Sequence, residues 1–521
     1  MTQSGEIKWD RVWECLFLIA VIVAVVMIVC TNLFHYCYKM NADIASEAVY
    51  ARLIWDSKEW MPKSWFSGSE LRFWQTPNLA ALFYGITHSM SLAMGIACVA
   101  MSVGIVISAY FFVSQFSFDK AQKLAFLLLC LIVSNQFTIL ELVYLFASYY
   151  GVHVIVFFFT LGVYIRLMSG KDNPIPFLAA TIILSVMMGM LSVREILICY
   201  APLFCAEAVR QLYLYCTKKS EWKDKRNQLT GGWCAALPVT SYAGTFFPFS
   251  IEQPISKNIR KGLGKLFSSV FPHVAECLGF TQSHFMETVL LFILFIVSIV
   301  SLLLCIMQVL IKRNAEHSVW SYLALWFSPV MTMLAVAFTT MESSPRYYFV
   351  LIYTLSFGAI YLIKLLKEKS RIFQSLGYAV VLFLFVLQTK NVYIPIMQSD
   401  EPPMTDAYKV CNYLEENGYE LAYDNFSNAN TMTVISYGAV RVGAVASVGR
   451  MDVCRWLNST EWYVPNVPYE SPTAYVITTY EIDEFEKFYE LHRDDLRFAA
   501  EIGMYSIYVS DYNFSYLGSD E

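Results

Sequence analysis

The sequence predicts a polytopic α-helical membrane protein carrying a small α/β domain at its C-terminal end, and three observations carry that prediction. Of 521 residues, 57% are apolar and only 15% are charged, whereas a soluble chain carries about 25% charged residues. Apolar runs long enough to span a bilayer, which needs about 20 residues per helix, recur along the first three quarters of the chain. From Asp400 onward those runs stop, and acids, asparagines and tyrosines rise.

Each long run is read as a helix, because backbone polar groups in lipid must satisfy one another within the segment. The runs lie at 12–34, 83–114, 123–140, 152–168, 175–193, 196–211, 231–248, 285–311, 318–340, 347–365 and 372–391, about eleven spans by that criterion. Lys8 and Arg11 precede the first run, which is too long for a signal-peptide core and shows no small-residue cleavage site, so it is expected to stay as a first helix. Basic residues gather at Lys120/Lys123, Arg166/Lys171, Lys218–Arg226, Lys312/Arg313 and Lys364–Arg371. The positive-inside rule then sets the N-terminus in the cytoplasm and residues 392–521 outside it, in a multi-pass plasma (inner) membrane.

Residues 1–395 are expected to form the membrane domain and 396–521 an extracytoplasmic domain. Two outer loops exceed simple connections. Residues 35–82 include WDSKEWMPKSWF, whose aromatics suit the headgroup zone, and short surface helices are expected there. Residues 250–284 include SKNIRKGLGKLFSSVF, where Lys257, Arg260, Lys261 and Lys265 recur at helical spacing beside Ile259, Leu263 and Leu266/Phe267. This reads as an interfacial helix whose cations meet lipid phosphate or anchor to headgroups. In the C-terminal domain the pattern predicts helices at 403–417, 427–437 and 481–492, strands at 420–424, 439–446 and 473–479, and paired strands within 497–509.

The net charge of −5 gives no basic field for nucleic acid. Most of the thirteen cysteines lie in apolar runs with no metal spacing, and no metal or other cofactor is expected. Cys411 and Cys454 share the C-terminal domain, where an oxidising compartment would allow a disulfide. Asn425, Asn458 and Asn513 begin Asn-x-Ser/Thr triplets.

Ionisable groups bordering apolar segments are the candidates for chemistry. Asp43 and Glu47 follow the first helix, Glu70 lies later in the same loop, and Glu141 ends the third run. Arg194 with Glu195 divides the fifth and sixth, and Arg346 with Tyr347 opens the tenth. Carboxylates and arginines on one side suit transfer from a phosphate-activated donor: a carboxylate takes the acceptor proton, and guanidinium forks hold the leaving phosphate. Asp43 is the candidate base with Glu70 as its rival. Glu47, Glu141, His153, Arg194, Arg346, Tyr347 and Lys261 are candidate substrate contacts. The plainer alternatives are helix capping for Asp43 and Glu47, a headgroup-facing turn for Arg194 and Glu195, a solvated helix end for Glu141, and satisfied interfacial histidines for His153 and for His88, placed inside the second helix.

The loop NADIASEAVYARLI to WFSGSELRFWQTP, then YYGVHV, LSVREIL, SPRYY and AYDNFSNANTMTVISYGAVRV in that order, resemble the GT-C superfamily of polyprenyl-phosphate-sugar glycosyltransferases. More narrowly they resemble bacterial proteins of the protein-mannosyltransferase and glycosyltransferase-39 group. The resemblance covers most of the chain and implies inverting transfer from a polyprenyl-phosphate-linked sugar to a glycan, lipid or protein acceptor. It places Asp43 at the family's catalytic acid and lipid-phosphate contact on Arg194 and Arg346. The family's commoner pattern has adjacent acids after the first helix, whereas Asp43 is followed here by Ile44, so Glu70 stays a rival. A transporter or lipid-linked-sugar flippase is the alternative from another class; the outer position of the ionisable residues and the absence of paired broken helices weigh against it.

Overall fold

The computed structural model describes residues 3–68, 70–132, 137–170, 174–247, 262–280, 285–312, 317–399, 405–463 and 472–516. Among them, eight helices are long and apolar enough to cross a membrane: Trp9–Phe34, Met90–Val113, Gly151–Ser169, Ile196–Thr217, Phe285–Ile311, His317–Phe338, Pro345–Lys367 and Arg371–Met397. The remaining three expected spans fall on helices short of that standard. Ile175–Leu191 is apolar but shorter, Lys225–Gly244 carries a polar first half, and the run at 123–140 is divided between Lys120–Ile132 and Phe137–Val143. The count of eleven is therefore not established.

The chain forms two compact units. One comprises Met1–Ile28, Met101–Tyr144 and Ser148–Pro395, the other Val29–Ala100, Leu145–Ala147 and Ile396–Glu521.

In the first unit, helices Ile175–Leu191 and Lys225–Gly244 cross at glycines. A Cβ on Gly189 would lie 1.8 Å from the Ser241 carbonyl oxygen, and one on Gly244 would lie 2.2 Å from that of Val186. Such small residues let helix backbones meet where lipid gives no hydrophobic drive to association. Ser185 Oγ to Thr240 Oγ1 at 2.6 Å and Trp233 Nε1 to Thr181 Oγ1 at 3.0 Å add polar links across the same pair.

Among the described residues, three helical segments widen into π-turns, at Ile196–Tyr200, Leu266–Val270 and Thr389–Tyr393. In each, the N–H of the next residue (Ala201, Phe271, Ile394) reaches back five positions to a carbonyl, and the residue after that is a proline: Pro202, Pro272 or Pro395. A proline within a helix clashes with the carbonyl four residues earlier and gives no hydrogen bond. A widened turn directly before it relieves that crowding, and such bulges recur at functional sites.

Residues 262–277 form a helical stretch in the loop expected to be interfacial, with Leu263, Phe267 and Phe271 exposed at a four-residue interval. Lys265 Nζ donates to the carbonyls of Thr339, at 3.0 Å, and Met341. Lys257, Arg260 and Lys261 lie outside the described residues.

The second unit holds loop 35–82 and the C-terminal sheet domain. The expected helix at 83–114 is two helices, Thr76–Thr87 and Met90–Val113, parted at His88, whose φ of 53° ends the first. His88 is thus an exposed helix cap rather than a mid-helix residue. Helix Ala42–Ser57 starts at Asn41, whose Oδ1 accepts the Ile44 N–H at 2.9 Å, and stops at Lys58 in the left-handed region. Short helices were expected in this loop and are present.

The C-terminal domain has every helix and strand expected of it. Its six-stranded sheet runs β4 (Asp452–Val453), β3 (Arg441–Ser447), β2 (Leu421–Asn425), β6 (Thr473–Thr478), β8 (Tyr505–Ser510), β7 (Arg497–Ile502). β2 is parallel to both β3 and β6, while the β6–β8, β7–β8 and β3–β4 pairs are antiparallel. Ala422, Val442, Ala444, Ala474 and Val476 pack a core with Val410, Leu414 and Met432 from helices Thr405–Glu416 and Phe426–Ile435. Tyr423, Tyr463 and Tyr475 stack in succession, with centroids 5.9 Å apart. Cys411 and Cys454 are both free thiols. Asn458 and Asn513 are buried and hydrogen-bonded to Tyr463 and Tyr423, which makes them unsuitable as glycan acceptors.

One connection within this unit was not foreseen. β1 (Trp65–Phe66) of the loop pairs antiparallel with β5 (Asn458–Ser459) of the sheet domain, extended by the Thr460 N–H to Ser64 carbonyl bond at 2.6 Å. Arg52 Nη1 donates to the Gly438 carbonyl at 3.3 Å. Gly438 has φ +79°, and a Cβ there would lie 1.8 Å from the Arg52 guanidinium, so only glycine admits this contact.

Candidate active site

In the second unit, helix Ala42–Ser57 presents Asp43 in its first turn and Glu47 one turn later. A carboxylate in the first turn is favoured by the helix dipole, and four-residue spacing puts both on one face. Asp43 is half-buried, while Glu47 is 3% exposed and Glu70 6%. Arg72 clamps one oxygen of Glu47 through Nε at 2.7 Å and Nη2 at 2.6 Å, and its Nη1 meets the Glu70 carbonyl at 3.2 Å. Glu70 Oε2 accepts from Gln75 Nε2 at 3.3 Å.

The turn bearing Arg72 is fixed from both sides. Asn78 Nδ2 donates to the Arg72 carbonyl at 3.0 Å, Tyr50 Oη donates to the same oxygen at 3.2 Å, and Asn78 Oδ1 accepts the Gln75 N–H at 3.0 Å. Burial raises the proton affinity of Glu47 above its usual range; Arg72 opposes that, and the negative charges of Asp43 and Glu70 reinforce it. The structure thus brings Asp43, Glu47 and Glu70 into one electrostatic group. Among the described residues no group of three or more His, Cys, Asp or Glu is arranged to hold a metal ion.

In the first unit, Arg194 and Glu195 follow Ser192, whose extended backbone ends helix Ile175–Leu191. Arg194 lies with its guanidinium carbon 4.1 Å from the Tyr150 ring centre and 5.7 Å from that of Tyr347; Arg346 is 5.7 Å from the Tyr347 ring. Tyr150 rests on Phe349 at 5.1 Å. His153 Nδ1 and Glu195 Oε2 are 2.9 Å apart, and both side chains are fully buried. Of the expected contacts, Arg194, Arg346, Tyr347 and His153 therefore come together. His153 is a core residue held by a carboxylate rather than an interfacial one. Glu141, a candidate substrate contact whose plainer alternative was a solvated helix end, is buried within Phe137–Val143, which excludes the solvated end.

Arg72, Gln75 and Asn78 were not picked out from the sequence. The signal available was SELRFWQTPN, where a lone arginine stands beside Glu70 and ahead of a Pro-led helix start. The His153–Glu195 pairing joins residues 42 positions apart and has no local signature.

No family model matches this chain, and no curated protein matches it in sequence. Solved structures match its fold over nearly its full length. The apo crystal structure of ArnT from Cupriavidus metallidurans aligns over 97% of this chain and 98% of its own, at TM-score 0.50 and 11% identity. The same ArnT bound to undecaprenyl phosphate aligns over 98% of each chain, at TM-score 0.50 and 10% identity. The Archaeoglobus fulgidus oligosaccharyltransferase, in a complex with Zn and sulfate, aligns over 95% of this chain and 73% of its own, at TM-score 0.50 and 11% identity. The chain shares its fold with these solved structures, and among the described residues it has eight long apolar helices and a small C-terminal sheet domain.

Proposed function

We propose that this protein is a GT-C glycosyltransferase that moves a sugar from a polyprenyl-phosphate donor to an acceptor hydroxyl, with inversion, at the extracytoplasmic face of the membrane. The observation that carries the reading is the gathering of three carboxylates on one loop: Asp43 is half-buried in the first turn of its helix, Glu47 is clamped by Arg72, and Glu70 accepts from Gln75.

In this mechanism Asp43 accepts the acceptor hydroxyl proton as that oxygen bonds to the anomeric carbon. The anomeric carbon–phosphate oxygen bond breaks, and the lipid phosphate departs as an anion. Arg194 and Arg346, brought to one tyrosine, form the set that receives it, since guanidinium groups pair with phosphate in two-pronged fashion. Glu70 keeps the second acidic role, orienting acceptor or sugar. No metal ion is assigned a step.

The test is sugar transfer from radiolabelled polyprenyl-phosphate donors by purified protein in detergent, with and without EDTA. Asp43→Asn is expected to lower turnover by about 10²–10⁴-fold, the usual range for a general base, with folding intact. Loss in Glu70→Gln with Asp43→Asn active would reassign the base. Failure of the wild type with every donor, alongside lipid movement in proteoliposomes, would favour a flippase instead.

A further inference from the structure

Tyr150 and His153 stand one turn apart at the start of helix Gly151–Ser169. They are met by two consecutive residues of a neighbouring segment: Arg194 packs on the Tyr150 ring, and Glu195 bonds to His153. Adjacent residues on a helix point about 100° apart, so fixing the direction of Glu195 also fixes that of Arg194.

We propose that the buried His153–Glu195 pair is a positioning device that aims Arg194 at the lipid phosphate of the donor. The inference rests on the glycosyltransferase reading above.

Three observations support it. First, the segment needs a clamp, because Ser192 is extended, helical structure restarts at Arg194, and the π-turn of Ile196–Tyr200 follows at once. Neither side of Arg194 is regular helix that would set its direction alone. Second, the pair is a poor device for stability. Burying a carboxylate costs heavily, replacing such pairs with apolar residues often stabilises a fold, and Glu195 Oε1 is buried with no hydrogen-bond partner. Third, the pair and the arginine stack share one scaffold: the Tyr150 and His153 rings are 5.9 Å apart, edge to face. A two-point clasp therefore holds Arg194 beside Tyr347 and Arg346 before any anion arrives.

The experiment is direct binding of radiolabelled undecaprenyl phosphate to the purified full-length protein in detergent, with gel filtration to confirm folding. Arg194→Ala should weaken binding at least tenfold. Glu195→Leu, His153→Leu and Tyr150→Leu should each weaken it by a similar factor. His153→Asn, which places an amide donor where Nδ1 stood, should restore most of the affinity. In the Arg194→Ala background Glu195→Leu should add no further loss, because it acts through the arginine.

Normal binding by folded Glu195→Leu and His153→Leu would overturn the proposal, as would losses that multiply in the double variant. If Glu195→Leu does not fold, the comparison of Tyr150→Leu with His153→Asn decides. Normal binding by Arg194→Ala would instead sink the phosphate role itself, and the positioning role with it.

Discussion

Asp424 sits at the end of β2, fully buried, with Oδ1 accepting from the Asn425 N–H at 2.6 Å and Asn428 Nδ2 at 3.3 Å, and with Oδ2 unpartnered. Burial pushes its carboxyl well above the ordinary value of 3.8, with Glu481 adding to the rise. The folded state therefore binds this proton more tightly than the unfolded one. Its contribution to stability is full below pH 3.8 and is lost as pH climbs through the raised value. Asp424→Asn is expected to flatten the decline of stability from acid to neutral pH and to raise stability at pH 7 relative to the unsubstituted protein. Tryptophan-fluorescence unfolding of the full chain across that range checks it. At this scale the sequence was legible where one residue's surroundings are local. Asp43 stands out by following an apolar run. Glu47 does not reveal that it is buried, because its partner Arg72 is 25 residues away and is delivered by a turn that Tyr50 and Asn78 must first fix.

Helices were legible wherever hydropathy changes at their ends, and illegible where tertiary packing ends them. The run from 83 to 114 carries no Asp, Glu, Lys or Arg, yet the chain breaks at His88. The neighbouring Gly85 lies against Trp55, whose ring would be 2.3 Å from a Cβ at that position. Composition carries no trace of that contact. The π-turns are more accessible, since each directly precedes a proline visible in the sequence. The close crossing of Ile175–Leu191 and Lys225–Gly244 gives the prediction proper to this scale. Gly189→Leu forces the Ser241 backbone aside and is expected to cost about 1–3 kcal/mol, the usual penalty for overpacking. Thermal unfolding in detergent should show a lowered midpoint, while Gly232→Leu, which meets nothing within 4 Å, leaves it in place.

For the whole molecule, sidedness is the claim most open to a simple test. Tyr437 is 73% exposed in the C-terminal domain, and Cys216 is exposed in the last turn of the Ile196–Thr217 helix. In intact cells a membrane-impermeant maleimide should label Tyr437→Cys but not Cys216, and permeabilisation should expose Cys216. The reverse pattern would invert the orientation read from the basic loops. The ordered series of short motifs pointed to the GT-C fold before any coordinates, and the structure matches ArnT in fold over 97% of the chain. The strand pair that ties loop 35–82 to the sheet domain was beyond reach, because β1 and β5 are two residues each.

That strand pair also sets an order in time. Arg52 and Gly438, joined in the same unit, are 386 residues apart in the chain. At about 5–20 residues per second, a ribosome needs roughly 20–80 s to pass from one to the other. Throughout that interval the loop bearing Asp43, Glu47 and Glu70 has left the ribosome without the partner that completes its unit. A nascent chain halted before β5 would hold the proposed base in an unfinished setting, so the proposed activity should appear only once β5 has been made.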